Sequence, residues 1–419
     1  MRIYHVVSIM AYAGLLIFQP IAYAEPITLE EAMQQAGDAH PEVRMAEQGV
    51  AAAQGMLTEK SSYAYNPEVL IEPQRRRLAD RSGITNDYFI TLSQGIEIPG
   101  KRSSRSKAAK AGLEAVEDSA ENVRQRRMIA AAQAAVMLDF SMRTEHVRQQ
   151  QQNIMKRLLE ALNQGFKAGE KSMLDVNLAR ASFANSVSMA AQSRQRHLRA
   201  EQDMANALGL PEKKKHGLRV ILPGLNPAWR PPENAVQLAL ASRPDIQAVK
   251  ASARAREAQA RLADLNRIPD PTLSLLTGRD THDRILGFGV NIPLPVLNSH
   301  TGAYKAAIAE RERSRDMEQW SIVKLKREVA TAIREHEVAA RTLAVFLQGQ
   351  TPAAEDNIRL ARTAYESGEM DLSDLVVYLD RSLQARTTRF ELLKRMWLAH
   401  IRVAEVLGHP EYILKGIQQ

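Results

Sequence analysis

The chain of 419 residues contains no cysteine, and only 5% of it is Phe, Trp or Tyr. Without cysteine there is no disulfide framework, no thiolate metal site and no cysteine nucleophile. An acylated lipoprotein anchor is excluded as well, because it needs a cysteine at the mature N-terminus. Few aromatics, with abundant Ala, Gln, Arg and Glu, favour long helices over a compact aromatic core. Past the N-terminus no window approaches the ~18 uninterrupted apolar residues of a membrane-spanning helix. The net charge is +8, but basic and acidic residues alternate along the chain, so no nucleic-acid partner is expected.

What is present begins with an address. Arg2 supplies a positive start, Val6 to Phe18 is mostly apolar, and Ala22-Tyr23-Ala24 is a small-x-small cleavage site. Residues 1–24 are therefore expected to be a signal peptide cleaved after Ala24. The apolar run is shorter than the ~20 residues of a spanning anchor. A Gram-negative periplasmic or outer-membrane protein is the expected destination.

The remainder is a duplication. Glu31–Val43 reads EAMQQAGDAHPEV and Glu233–Ile246 reads ENAVQLALASRPDI, so His40-Pro41-Glu42-Val43 lies over Arg243-Pro244-Asp245-Ile246. Ile98-Pro99 lies over Leu294-Pro295, and Ser106-Lys107-Ala108-Ala109 over Tyr304-Lys305-Ala306-Ala307. Phe166-x-x-Gly169-Glu170 with Asp175 matches Tyr365-x-x-Gly368-Glu369 with Asp374, and Leu208-Gly209-x-Pro211 matches Leu407-Gly408-x-Pro410. These matches stay in order at an offset of roughly 200 residues, the mark of an internal repeat. The expected layout is a first repeat over 25–221, a Pro- and Gly-containing linker over 222–232, a second repeat over 233–410 and a tail over 411–419.

Each repeat has the same grammar. A helix-favouring stretch opens it, Thr28 to Ser62 or Ala235 to Asn266, the first with the capping-box pair Thr28 and Glu31. A β-hairpin follows, over about 66–98 and about 271–294. Tyr88, Ile90 and Leu92 alternate with Phe89, Thr91 and Ser93, while Leu286, Phe288 and Val290 alternate with Ile285, Gly287 and Gly289. That period of two predicts one apolar and one mostly polar face. Polar loops are expected over Gln74–Asp87 and Gly278–Asp283. Next come helical tracts, Lys101–Gln164 and Ala303–Ala364, the second interrupted by Pro352; some 60 residues make a rod of roughly 90–100 Å. Short glycine turns, about 165–175 and about 364–375, send the chain back along Ser172–Leu208 and Leu372–Leu407.

Geometry then limits the assembly. Four amphipathic strands of about ten residues suit a tilted membrane crossing but cannot close a barrel. Open edges in lipid leave backbone groups unpaired at several kcal/mol each, so copies must pool their strands. Three copies supply twelve. A soluble coiled-coil scaffold without a pore is the alternative from another class, and it needs no detergent.

These features together resemble the TolC-type outer-membrane efflux proteins over essentially the whole mature chain. The resemblance rests on the duplicated pattern, the paired His-Pro-Glu-Val and Arg-Pro-Asp-Ile elements, and the turns Gly169-Glu170-x-Ser172-x-x-Asp175 and Gly368-Glu369-x-x-x-x-Asp374. Gln94 to Arg102 is similar to the hairpin-to-helix junction of the cobalt–zinc–cadmium branch, with Pro99-Gly100-Lys101-Arg102 where that branch carries Gly-Gly-Lys-Arg. The resemblance implies a mainly helical homotrimer with a 12-stranded outer-membrane β-barrel continuous with a 12-helix periplasmic α-barrel. It implies a passive duct without enzymatic activity or cofactor, docked to a periplasmic adaptor and through it to an inner-membrane RND transporter. Heavy-metal cations such as cobalt, zinc, cadmium, nickel or copper are the implied cargo, with drugs or secreted protein as alternatives for the same duct. It also places both helical turns at the periplasmic tip. The candidate docking residues are then Gly169, Glu170, Ser172, Asp175, Gly368, Glu369 and Ser373, and Asp374 is the candidate gate ring. An aspartate at a helix start is equally what the helix dipole favours. The second aspartate that relatives carry three residues later is replaced by Leu178 and Val377.

Other chemistry finds little support. Gly95-x-x-x-x-Gly100-Lys101 approaches a phosphate-binding loop, but Arg102 stands where Ser or Thr would hold magnesium. Of the ten histidines, none pairs at i+3 or i+4, so no metal site is expected. His282-Asp283 and His300 read as solvated loop residues more readily than as transient metal contacts. Arg75, Arg76 and Arg77 are expected in the first hairpin loop, either solvated or facing the phosphates of outer-membrane lipid.

Overall fold

A computed structural model describes residues 26–77, 83–211, 217–226, 228–349, 359–361, 363–365 and 367–417. The expected leader with Ala24, and Pro352, lie outside them. Each opening stretch is two helices rather than one. Helix α1 (Leu29–Ala39) gives way to α2 (Pro41–Ser61), and after the first hairpin and two long helices the pattern returns as α5 (Ala235–Ser242) and α6 (Pro244–Leu265). The break is proline's doing. His40 and Arg243, each preceding a proline, are extended at φ −64°, ψ 137° and φ −69°, ψ 118°, because the proline ring disfavours the helical region for its predecessor.

The first hairpin comprises β2 (Glu68–Arg77) and β3 (Ile84–Gly95), the second β5 (Thr272–Asp280) and β6 (Asp283–Asn291). A two-residue parallel pair, β1 (Ile27–Thr28) with β4 (Val220–Ile221), closes the first repeat. The hairpins join through β3 and β5 into one antiparallel sheet of order β2-β3-β5-β6. Strands extend further than the polar composition suggests. Arg75, Arg76 and Arg77 pair with Asn86, Thr85 and Ile84, so they belong to the sheet and not to a loop. Both outer edges, β2 and β6, are unpaired in one chain.

Helix α3 (Lys101–Lys167) runs without a break for 67 residues, and α4 (Met173–Ala207) returns along it. Their counterparts are α7 (Thr301–Gly349) and α8 (Leu372–Leu407). At about 1.5 Å per residue, α3 is a rod of roughly 100 Å. The largest core lies partway along the rods, where Leu29, Met33, Leu138, Met204, Ile401 and Ile413 are at most 2% exposed. Toward the turns the buried residues thin to narrow seams such as Met155, Leu375 and Leu379. The C-terminal stretch is core and not a loose tail: α9 (Tyr412–Lys415) buries Ile413 completely, and Ile417 bridges to Leu225 in the linker.

Two repeated motifs prove to be halves of one joint. Gly209, at φ +65°, sits where a Cβ would lie 2.6 Å from Pro41 Cδ and 3.0 Å from His40 Cδ2. Gly408, at φ +71°, sits likewise against Arg243, 2.7 Å from Cγ and 2.9 Å from Cα. His40 Nδ1 accepts from the Glu42 amide at 3.1 Å. That leaves Nε2 as the protonated nitrogen, which donates to the Asn206 carbonyl at 3.2 Å. Ser242 donates to the Leu407 carbonyl at 2.9 Å in the second repeat. Gly209→Ala or Gly408→Ala is expected to destabilise the fold by about 1–3 kcal/mol from left-handed backbone strain alone. The midpoint of denaturant unfolding checks it; an unchanged midpoint in both variants would contradict the joint.

Candidate functional site: paired helical turns below a charge-sorted sheet

The turns are built twice to one plan. Gly169 and Gly368 are left-handed at φ +79° and +80°. Glu170 N donates to Gly165 O at 2.9 Å, and Glu369 N to Ala364 O at 2.8 Å. These six-to-one bonds satisfy carbonyls at the end of one helix while the glycine turns the chain. The two turns lie side by side: Leu162, Val176 and Ala179 share a buried cluster with Leu372. The Lys171 ammonium lies 5.0 Å from the centre of the Tyr365 ring.

The two aspartates diverge. Asp175 accepts from the Ser172 amide at 3.1 Å and hydroxyl at 2.8 Å while Ser172 Oγ caps the Asp175 amide, a complete capping box. Helix α8 has Asp371 as its N-cap and no such box, which leaves Asp374 exposed with no hydrogen bond or ion pair among the described residues. Gly169, Glu170, Ser172, Gly368, Glu369 and Ser373 are all exposed. Beside them Leu174 is 78% exposed. Met173, Val377 and Tyr378 are exposed as well, an apolar rim that the charged residues of the motifs did not advertise.

At the opposite end the sheet sorts charge by face. Strand register puts Val69, Ile71, Tyr88, Ile90, Leu92, Leu273, Leu275, Leu286, Phe288 and Val290 on the more exposed side. Glu68, Glu72, Asp87, Asp280 and Asp283 share the other side with a single arginine, Arg76. Arg76 forks onto the buried Asp87 at 2.8 and 3.0 Å and also pairs with Asp280. Inner faces of closed membrane barrels carry the polar residues and outer faces the apolar ones.

Between sheet and rods lies a buried joint made across the repeats. Lys101 Nζ donates to Asp270 Oδ1 at 2.8 Å and to Ile268 O at 2.6 Å. Tyr65 donates to Asp270 Oδ2 at 2.6 Å, and the Ile98 amide to Oδ1 at 2.8 Å. Burial pushes the Asp270 carboxyl up, but Lys101, Tyr65 and Ile98 outweigh it and hold the group below the usual carboxylate range. Hydrogen bonding to Asp270 pushes the Tyr65 hydroxyl up to about 12. Arg102 and Arg105 donate to Ser61 O, Lys60 O and Ser62 O at 2.8 to 2.9 Å, closing the end of α2. The Gly-Lys-Arg motif is thus a structural anchor, with its lysine committed to Asp270 and not to a phosphate.

A second buried group escaped the sequence. His336 on α7 and His400 on α8 are both 0% exposed, with ring centres 5.8 Å apart and Trp229 set edge-on to each at 5.2 and 4.4 Å. His400 Nε2 contacts the carbonyls of Tyr412 and Ile413 at 3.1 and 3.2 Å, while neither nitrogen of His336 has a hydrogen-bond partner among the described residues. Among the described residues, no group of three or more His, Asp or Glu side chains converges as a metal site, and no helix is long and apolar enough to cross a membrane.

The architecture is that of an outer-membrane channel, and comparison with known proteins agrees. Residues 235–409 match the model of the outer membrane efflux protein family. It is similar to the cobalt-zinc-cadmium resistance protein CzcC of Cupriavidus metallidurans, 23% identical over 93% of this chain and 92% of that one. The Campylobacter jejuni CmeC outer membrane channel has the same fold at TM-score 0.78 and 15% identity, covering 91% of this chain and 85% of that one. CusC matches at TM-score 0.74 and 16% identity over 91% and 92% of the two chains. The fold is therefore that of the outer-membrane efflux channels.

Proposed function

We propose that this chain is the exit duct of a tripartite efflux system that carries heavy-metal cations, of the cobalt, zinc, cadmium, nickel and copper class, out of the periplasm. The observation that carries this reading is the similarity to a cobalt-zinc-cadmium resistance protein along nearly the full length of both chains. The acidic side of the sheet, taken as the inner wall, supports it, since rings of carboxylates favour cations in a pore. Unpaired edges on β2 and β6 support a homotrimer that pools its strands into one barrel. The exposed turns with their apolar rim suit docking of a periplasmic adaptor, which links the duct to an RND transporter that supplies the energy. Residues 1–24 act in this reading as the export signal, cleaved at Ala24. The two repeats, 25–221 and 233–410, supply one hairpin and one tip turn each.

Removing the chain from its host is expected to lower tolerance of cobalt, zinc and cadmium while leaving drug tolerance unchanged; the reverse pattern would assign the duct to drugs. In planar bilayers the detergent-purified trimer is expected to conduct with cation preference. Its conductance is expected to rise in Asp374→Ala, because that removes a ring of charge at the narrow end. Unchanged conductance would reduce Asp374 to a helix-start residue. A protein extracted without detergent that never inserts would sink the duct and favour a scaffold.

A further inference from the structure

The outward face of the sheet ends in arginines. Above the apolar positions Val69 and Ile71, the same side of β2 continues as Arg75 and Arg77. Tyr88, on that side of β3, pairs with Arg279, and Arg279 pairs with Arg284. All four arginines are exposed and, among the described residues, none has an ion-pair partner. No acidic residue occurs on this face of any of the four strands: Glu68, Glu72, Asp87, Asp280 and Asp283 all face inward. Arg76, the one inward arginine, is satisfied by Asp87 and Asp280. Hence, among the described residues, the four outward charges have no acidic partner at the strand ends farthest from the helices.

Such an arrangement is unfavourable by itself. Arg279 and Arg284 stand directly opposite each other, where like charges destabilise a sheet. Tyr88 lies in the same row, the amphipathic residue type that marks the boundary between hydrocarbon and headgroup. Above that boundary a bound anion would offset this local excess of positive charge. Guanidinium forks match phosphate oxygens two by two, more strongly than ammonium groups do.

We propose that Arg75, Arg77, Arg279 and Arg284 form a binding site on the barrel's outer rim for the phosphorylated headgroup of an outer-leaflet glycolipid of the lipid A class. The site rests on the barrel reading, in which the apolar face meets lipid. It seats the bound lipid's acyl chains along the apolar rows beneath and neutralises the Arg279–Arg284 repulsion. It also accounts for the sorting of charge, since acids on this face would repel the same headgroup.

Native mass spectrometry of the detergent-purified full-length protein tests it, titrating bisphosphorylated lipid A against the same lipid stripped of both phosphates. The wild type is expected to bind the phosphorylated lipid roughly tenfold or more tightly, as several charge-assisted hydrogen bonds imply. Replacing all four arginines by alanine is expected to abolish that preference, whereas Arg256→Ala and Arg313→Ala on the helices leave it intact. Equal binding of the two lipids by the wild type would overturn the site without recourse to any variant. So would an undiminished preference in the fourfold variant, or displacement of the lipid by millimolar inorganic phosphate, which would mark a free-anion site. Conductance of the same wild-type sample decides the barrel separately: a conducting channel that ignores the lipid's phosphates loses only the rim site.

Discussion

Replacing Lys101 by methionine is expected to weaken folding by about 3–5 kcal/mol, the cost of leaving one partner of a buried ion pair alone. Its side chain is 6% exposed and that of Asp270 12%, so water cannot take the partner's place. Asp270 also holds Tyr65 and the Ile98 amide, which makes it the point where the end of α2, the β3–α3 turn and the strand β5 meet. Asp270→Asn is expected to do comparable damage, because it strands the Lys101 ammonium while keeping an oxygen for the amide. The double variant Lys101→Met with Asp270→Asn is expected to recover part of the loss, since no buried charge is left unpaired. Denaturant unfolding of the purified protein, with bilayer insertion on the same samples, is the measurement. Full stability in both single variants would show that the joint does not hold the sheet to the rods.

Acidification is expected to destabilise the mid-rod core through His336. Burial, with the neighbouring His400 and Arg230, depresses His336 to about 4 from an ordinary value near 6.5. The native state therefore binds fewer protons than the unfolded chain, and stability falls as pH drops through the window from about 6.5 to about 4. Integrated over that window, the loss is about 3 kcal/mol. His400 adds to it in the same direction, its pKa lowered by burial against the opposing pull of the Ile413 and Tyr412 carbonyls. Because neither nitrogen of His336 has a hydrogen-bond partner among the described residues, His336→Phe strands none of them and is expected to flatten much of the slope. Unfolding free energies at pH 7 and pH 5 check this; an unaltered slope in His336→Phe would place the acid-sensitive group elsewhere.

Much of the site could be read locally. Glycine at the turn was legible because only glycine adopts the left-handed helix end cheaply, and Gly169 and Gly368 both do so. Alternation on β3 and β6 revealed the two faces. The arginines of β2 were misplaced in a loop, since composition suggested solvent and only pairing with Ile84, Thr85 and Asn86 showed a strand. The apolar rim of the turns was hidden for a different reason: Leu174 and Tyr378 look like core residues until the packing leaves them outside. His336 and His400 looked scattered because helical spacing of three or four detects neighbours on one helix, whereas these sit on two.

Duplication, helix and strand periods, proline breaks and glycine turns were determined by the sequence alone, because each depends on residues within a few positions of one another. Tertiary structure alone decided that Lys101 meets Asp270 across 169 positions, that His40 meets Asn206 across 166, and that β3 pairs with β5. Such contacts depend on how whole elements pack and in what register, and one residue of slip along a strand would exchange its faces. The gathering of the acids on one face of the sheet, and of every strand arginine but Arg76 on the other, is therefore written in the strands but becomes visible only once their register is known.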